Sequence, residues 1–174
     1  MKIAFIINGQ GGVGKDSFVE SISCFWKVKN ISSITPIKEI MKTLGWQGTK
    51  TDKDRKFMSD LKQLITDYND YPTQYCFLEY KKFLKDDNDL MFIHIREPNE
   101  IKKLVDMSNG EIKTLLIRRK EIEHVYGNKS DDQVLDFDYD YCYNNCTDLK
   151  SLPLSAKQFI EQVVGFKKYK LSKY

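Results

Sequence analysis

Residues 9–17, which read GQGGVGKDS, constrain the fold of this chain more than any other stretch. A short apolar run at residues 3–7 precedes them and has the composition of a buried parallel strand. Apolar residues at helical spacing follow them, at Phe18, Val19, Ile22, Phe25 and Trp26. A strand, a glycine-rich turn and a helix in this order predict backbone N–H groups that curl around a phosphate at the helix start.

The stretch matches the P-loop pattern G-x-x-x-x-G-K-[ST] at Gly9, Gly14 and Lys15, but not at its last position. Asp16 stands where a hydroxyl usually contacts Mg²⁺, and the first hydroxyl is that of Ser17. The alternative is a glycine-rich turn whose lysine is merely solvated. The flanking strand and helix favour phosphate binding. The backbone contacts are expected at Gly9, Gly11, Gly12, Val13 and Gly14, with Lys15 at the outer phosphates.

The composition is that of a folded chain with no evident need for a polyanionic or lipid partner. Of 174 residues, 41% are hydrophobic and 30% are charged, which excludes a disordered or fibrous chain. The 28 basic and 25 acidic residues are mixed and leave a net charge of +3. No apolar run approaches the ~20 residues that span a bilayer, and there is no signal-peptide pattern. We therefore predict one cytoplasmic domain over residues 1–174, with no nucleic-acid or membrane partner.

The cysteines Cys24, Cys76, Cys142 and Cys146 are scattered and require no oxidising compartment. A zinc site formed by Cys142 and Cys146 with a histidine would match no strong ligand spacing. Small buried thiols are the expectation instead.

Strand and helix patterns alternate along the rest of the chain. Further strands are predicted at residues 31–35, 90–95, 112–117 and 139–143, and further helices at 36–44, 52–68, 71–84, 98–105 and 156–164. Ser155 and Gln158 form a candidate capping box for the last helix. The helix at 52–68 has an apolar face at Met58, Leu61, Leu64, Ile65 and Tyr68. This alternation predicts an α/β fold in three layers, a five-stranded parallel sheet flanked by helices.

Basic residues follow the predicted strands. Arg96 comes directly after the third strand, and Arg118 and Arg119 come at the end of the fourth. Because ligands bind beyond the carboxyl ends of parallel strands, these arginines are expected to meet the glycine loop at one edge of the sheet. Arg55 and Lys62 lie together on one edge of a predicted helix. Since arginine pairs with two phosphate oxygens at once, the set suits phosphoryl transfer to an anionic acceptor.

Each of these cations also has a plainer interpretation. Arg96 can form a structural salt bridge, and the basic cluster at 118–120 can be an exposed loop. The stripe that contains Arg55 and Lys62 can be simply solvated. The positions at strand ends favour phosphate handling for Arg96 and for the cluster.

Four segments carry more information, namely GKDS at 14–17, DRKFMSDLK at 54–62, IREPNEI at 95–101 and YNNCTDL at 143–149. They resemble the nucleoside monophosphate kinase group of P-loop kinases, and within it the phage and bacterial deoxynucleoside monophosphate kinase-like proteins. That group often reads G-K-D-[ST] at its glycine loop, so Asp16 supports the resemblance. One departure is His94, because related sequences often have Asp two residues before the third-strand arginine.

The resemblance implies a P-loop NTPase fold with a helical acceptor-binding segment at about 36–86 and a lid at about 118–138. It implies ATP as phosphoryl donor with Mg²⁺, and a (deoxy)nucleoside monophosphate as acceptor. Residues 9–17 would hold the ATP phosphates, and Ser17 and Asp16 with water would hold the metal. The resemblance implies that Arg55, Lys62 and Arg96 bind the acceptor. It implies that Lys15, Arg96, Arg118 and Arg119 act on the transferring phosphoryl group. Arg118 would also contact the donor, and Asn145 would lie near its adenine.

Two other functions stay open at this point. One is a P-loop kinase for another small phosphorylated metabolite, and the other is a nucleotide-binding module without turnover. The sequence does not distinguish which base or sugar is preferred, whether the acceptor is a nucleotide, or whether the chain forms a homodimer.

Overall fold

A computed structural model of the chain describes residues 2–49, 51–119 and 133–170. Most of the predicted lid, at 120–132, lies outside these residues. The strands are β1 Ile3–Asn8, β2 Val28–Ser32, β3 Leu90–His94, β4 Lys113–Arg118 and β5 Tyr141–Asn144. The helices are α1 Lys15–Ser23, α2 Thr35–Thr43, α3 Asp52–Asn69, α4 Tyr71–Phe83, α5 Pro98–Met107 and α6 Leu152–Lys170, with a 3₁₀ turn at Gln133–Asp136.

The strands form one parallel sheet in the order β2-β3-β1-β4-β5. β1 lies at its centre, where Ile3 pairs with Leu90 on one side and Phe5 pairs with Lys113 on the other. Because all strands run the same way, their carboxyl ends meet at one edge, which the glycine loop follows directly.

Helices cover both faces of the sheet. Successive side chains of β1 point to opposite faces, and both faces are buried. Phe5 faces a core cluster that includes residues of α1 and α6, such as Phe18 and Ile160. Ile6 faces a second cluster that includes residues of α4 and α5, such as Phe83. The predicted three-layer arrangement is therefore confirmed.

Aromatic rings fill the centre of the first cluster. The ring of Phe92 stacks on Phe5 with centroids 5.6 Å apart and meets the edge of Phe18 at 6.1 Å. All three side chains are fully buried. These rings tie β1, β3 and α1 together, so they hold the start of the glycine loop and the helix that follows it.

The last helix begins earlier than the sequence pattern predicts, at Leu152, so the capping box at Ser155 and Gln158 is wrong. Ser155 lies inside the helix, where its hydroxyl pairs with that of Tyr143 at 2.8 Å. Asp148 holds the chain before the helix instead, since its Oδ1 accepts the backbone N–H of Ser151 at 2.8 Å.

Two further expectations about packing are wrong. On α3, Leu64 and Tyr68 of the predicted apolar face are 67% and 84% exposed. Of the cysteines, Cys76 is buried, whereas Cys24, Cys142 and Cys146 are exposed thiols. In the part of the chain that the structure describes, no helix has the length and apolar character needed to cross a bilayer.

The aromatic centre leads to a test of the fold. Replacing Phe92→Ala removes a fully buried ring and should lower the free energy of unfolding by about 3–5 kcal/mol, through lost burial and the cavity left behind. Urea unfolding measures this value. The control is Leu149→Ala, at a side chain 76% exposed, with an expected change within about 0.5 kcal/mol. Equal losses in the two variants would contradict this packing.

Candidate functional site

The glycine loop has a backbone that requires glycine. Gly9, Gly12 and Gly14 have φ angles of 149°, 81° and 91°, which L side chains rarely adopt. A Cβ on Gly9 would collide with the carbonyl oxygen of Ile117. Gly14 is the N-cap of α1 and gives that helix no side-chain cap. The loop and helix start therefore form a cradle of backbone N–H groups, which suits phosphate oxygens.

Lys15 lies over its own loop. Its ammonium Nζ donates to the carbonyl oxygens of Gly9 at 2.5 Å and Gln10 at 2.9 Å. These contacts keep the cation beside the cradle, where phosphate oxygens can replace the carbonyl groups. Asp16 is exposed and Ser17 is half-buried, both in the first turn of α1.

Asn8, at the end of β1, joins three segments around the loop. Its fully buried side chain accepts the Gly9 N–H at 2.8 Å and donates to the Arg96 carbonyl at 3.1 Å and to the Tyr139 hydroxyl at 2.8 Å. The Tyr139 hydroxyl donates in turn to the Val134 carbonyl at 3.0 Å. Burial raises the pKa of Tyr139 to about 12, so it remains a neutral donor. Sequence reasoning missed Asn8, although a polar residue that ends an apolar strand was a usable signal.

Asn145 connects the loop after β5 to the glycine loop by hydrogen bonds. Its backbone N–H donates to the Arg118 carbonyl at 2.7 Å, and its Nδ2 donates to the Val13 carbonyl at 2.8 Å. Within the described residues, its buried Oδ1 and the buried hydroxyl of Thr147 have no hydrogen-bond partner. Buried polar atoms are usually paired, so these two fit a ligand with complementary groups.

The sheet edge also carries the predicted arginines. Arg118 and Arg119 line a crevice together with Gln10 and Val13 of the glycine loop, so the structure brings these parts of the site together. Arg96 is exposed directly beyond β3, and Asn8 holds its carbonyl. Arg55 is exposed on α3, within the segment predicted to bind the acceptor.

Lys62 occupies a different environment from the one expected of a residue that contacts substrate. Its ammonium lies 2.6 Å from the Glu97 carboxylate and 2.9 Å from that of Glu100, and its side chain is 10% exposed. The ion pairs join α3 to the first turn of α5. Its predicted contact with the acceptor stays a prediction.

His94 ends β3 beside the glycine loop. Its Nε2 lies 3.0 Å from Asn30 Oδ1. Burial lowers the pKa of His94 below its usual 6.5, and the cationic Lys15 and Arg96 reinforce the shift against the opposing Asp16 carboxylate. The imidazole is therefore neutral at pH 7, and its pKa depends on charges at the start of α1 and on Arg96, two residues further along the chain.

The residues present fit a Mg²⁺ ion that keeps much of its water. No group of three or more His, Cys, Asp or Glu able to hold a metal occurs among the described residues. Ser17 and Asp16 offer oxygens at the start of α1, next to the phosphate cradle. Mg²⁺ commonly binds through one or two protein oxygens, phosphate oxygens and water, so this sparse set is sufficient.

The sequence matches no protein-family model and no curated protein. Solved structures match it. A gluconokinase from Sinorhizobium meliloti 1021 is 12% identical with a TM-score of 0.51, over 97% of this chain and 97% of that chain. A protein from Chloroflexus aurantiacus j-10-fl, assigned as a kinase, is 8% identical with a TM-score of 0.52, over 92% of this chain and 97% of that chain.

A shikimate kinase from Aquifex aeolicus vf5 is 11% identical with a TM-score of 0.47, over 96% of this chain and 98% of that chain. At these identities the likeness concerns the fold, and it rests on the two structures with TM-scores above 0.5. With the parallel sheet and the glycine loop, they show that the chain has the three-layer P-loop NTPase fold, as the sequence predicted.

The contact between Gly14 and Asn145 can be tested against a matched glycine. A Cβ at Gly14, where φ is 91°, would lie 2.5 Å from Asn145 Nδ2, whereas at Gly45, where φ is 92°, it would meet nothing within 4 Å. Both alanine variants should carry backbone strain of about 1–2 kcal/mol. Gly14→Ala should lose about 1–3 kcal/mol more, because the Asn145 amide is displaced from its partners. Equal losses in urea unfolding would rule out this contact.

The environment of His94 predicts a pH dependence. Because folding lowers its pKa, the stability that it contributes is present above pH 6.5 and is lost as the pH falls through its folded-state value. The free energy of unfolding of the unmodified chain should therefore fall more between pH 7.5 and pH 5.5 than that of His94→Gln. Urea unfolding at the two pH values measures the difference. Parallel losses in the two proteins would show that His94 does not titrate in this way.

Proposed function

We propose that this chain is an ATP-dependent kinase that transfers the γ-phosphoryl group to a nucleoside or deoxynucleoside monophosphate. The observation that carries the proposal is the meeting of a phosphate cradle and several arginines at one edge of the sheet. Lys15 lies over the cradle, and Arg118 and Arg119 share a crevice with it. Phosphoryl transfer requires alignment and neutralised charge more than covalent help from the protein, and these groups supply both.

The donor side is the glycine loop with the start of α1. The backbone N–H groups there suit the phosphates of ATP, and Lys15 suits the outer phosphates once it leaves the loop carbonyl groups. Bound ATP would supply the transferring group, with Mg²⁺ near Ser17 and Asp16 to offset its charge. Asn145 Oδ1 and the Thr147 hydroxyl lie in the loop after β5 and suit polar groups of the nucleoside.

The acceptor side consists of Arg96 and Arg55. Arg96 lies just beyond the end of β3, the strand directly beside β1, which leads into the cradle, and Asn8 holds the Arg96 carbonyl. A planar guanidinium binds two oxygens of a phosphate monoester, which a nucleoside monophosphate carries. The resemblance of the segments at 54–62 and 95–101 to nucleoside monophosphate kinases supports this acceptor.

A second acceptor class has its own support. The neighbour named as a gluconokinase shares the fold, and His94 stands where the related nucleotide kinases often have Asp. A kinase for another small anionic metabolite is therefore the alternative, and it uses the same donor side.

The experiment is a phosphotransfer assay with the purified chain, ATP and Mg²⁺, against each ribo- and deoxynucleoside monophosphate. A wider panel adds gluconate, shikimate and phosphorylated metabolites. ADP and a nucleoside diphosphate, formed only when both substrates are present, are the expected products. Turnover only on the wider panel would support the alternative. ATP binding without turnover on any acceptor would contradict a kinase and favour a nucleotide-binding module.

Two variants test the assigned cations. Lys15→Met and Arg118→Ala should each lower kcat by about 100-fold or more, because each removes a charge that faces the transferring phosphoryl group. The control is Lys113→Ala, since Lys113 begins the strand that Arg118 ends and therefore lies at the end of β4 away from the site. Steady-state rates check the prediction. A loss in the control that matches the loss in Arg118→Ala would show a general effect on the fold.

A further inference from the structure

Helix α3 exposes three of its large apolar side chains, and three others are only half-buried. Phe57, Leu64 and Tyr68 are 47%, 67% and 84% exposed, while Lys62 is the one buried side chain among residues 52–69, all of which the structure describes. None of the apolar side chains of this helix is fully buried, so apolar packing fixes its position only in part. The side chain of Lys62 is the one that this helix buries.

The Lys62 ammonium is bound by two carboxylates from another element. It lies 2.6 Å from Glu97 and 2.9 Å from Glu100, at the N-cap and in the first turn of α5. The side chains of Lys62 and Glu100 are 10% and 8% exposed, whereas that of Glu97 is 43% exposed. A buried ion pair is a weak source of stability, because desolvation offsets the attraction, but it fixes the relative position of the groups that it joins.

Glu97 links this ion pair to the strand end that carries Arg96. Glu97 is the residue directly after Arg96 and the N-cap of α5, so the ion pair that holds its side chain also restrains the chain at Arg96. On the other side, Asn8 Nδ2 donates to the Arg96 carbonyl at 3.1 Å. The backbone of Arg96 is thus held from α3 through Glu97 and from β1 through Asn8.

The pKa values of the two carboxylates shift in opposite directions. Burial disfavours the charge of Glu97, but the charge and hydrogen bond of Lys62 outweigh it and lower the pKa of Glu97. Burial raises the pKa of Glu100, despite the attraction of Lys62. Lys62 therefore favours the charged form of Glu97 more than that of Glu100, which is the more deeply buried of the two side chains.

We propose that Lys62 is a positioning residue for the acceptor site: it holds the Glu97 carboxylate against the end of β3 and so sets the position of Arg96 relative to α3. The proposal rests on the proposed function, in which Arg96 binds the acceptor. Arg55 lies seven residues before Lys62, about 10 Å along α3 on the same side. The ion pairs thereby fix the separation of Arg55 and Arg96, two arginines of different elements that are assigned to the same anion.

This role differs from direct contact of Lys62 with the acceptor, and the variant Glu97→Gln separates the two. If Lys62 binds the acceptor itself, weakening its ion pair leaves the ammonium free, and acceptor binding is unchanged or stronger. If Lys62 acts through Glu97, the same change loosens Arg96 and weakens acceptor binding. Because Glu97 is half-exposed, Glu97→Gln should fold even where Lys62→Met does not.

The experiment compares the unmodified chain with Lys62→Met, Lys62→Arg and Glu97→Gln, and uses Asp60→Asn as the control. Asp60 forms an exposed ion pair with Lys56 on the same helix, at 2.8 Å, so its loss removes a charge without touching α5. Two quantities are measured in each protein. The first is kcat and KM for ATP and for the acceptor identified in the phosphotransfer panel, and the second is hydrogen exchange of the backbone amides at 95–97 without ligand.

The expected result is that Lys62→Met and Glu97→Gln both lower kcat/KM for the acceptor by about tenfold to about 100-fold and leave KM for ATP unchanged. Lys62→Arg should recover part of the loss, and Asp60→Asn should show none. Exchange at 95–97 should rise in the two disruptive variants only.

Unchanged exchange at 95–97 in Glu97→Gln would overturn the positioning role, whatever the activity. Acceptor binding that strengthens in Glu97→Gln would also overturn it, in favour of direct contact. If exchange rises as expected but the unmodified chain shows no turnover on any acceptor, the proposed function fails while the link from Lys62 to Arg96 stands.

Discussion

The hydrogen bonds of Asn8 are the interaction on which the geometry of the site depends. A parallel sheet brings the ends of its strands to one edge, but it does not fix the loops that leave them. Asn8 does so, because one buried amide holds the first residue of the glycine loop, the carbonyl of Arg96 and the hydroxyl of Tyr139. Leaving any of these groups unpaired would cost the desolvation of a buried polar group, so the three segments are held together.

Asn145 does the same from the other side of β1. Its contacts with Val13 and with the Arg118 carbonyl hold the glycine loop and the end of β4 in one arrangement. The lack of a side chain at Gly14 is what permits this, since a Cβ there would occupy the position of the Asn145 amide. The glycine pattern therefore has two consequences: it gives the loop a backbone that suits phosphate oxygens, and it admits the side chain that fixes the loop.

The fold and the glycine loop were largely predictable because they follow from local patterns. The run at 3–7, the glycines and Lys15 are contiguous, and strands that alternate with helices imply a parallel sheet. The partners of Lys62 were not predictable, since Glu97 and Glu100 lie 35 and 38 residues away. The exposed face of α3 was missed for a related reason: the spacing of apolar residues indicates a face, but not whether another element covers it. The position of Asn8 at the end of an apolar strand was a usable signal, but the partners of Asn8 and Asn145 lie across the sheet edge, and no local pattern specifies them.

In the proposed function, the acceptor side is built differently from the donor side, and this difference bears on how the chain would select its substrate. The donor phosphates would meet a backbone cradle whose shape the glycine φ angles fix before any ligand binds. The acceptor would meet arginines on two segments, α3 and the end of β3, which ion pairs at Lys62 join. An ion pair holds two groups at a set distance only while both partners are in place. Acceptor binding should therefore be more sensitive than donor binding to changes remote from the transferring group, because its geometry depends on side chains that the substrate does not touch.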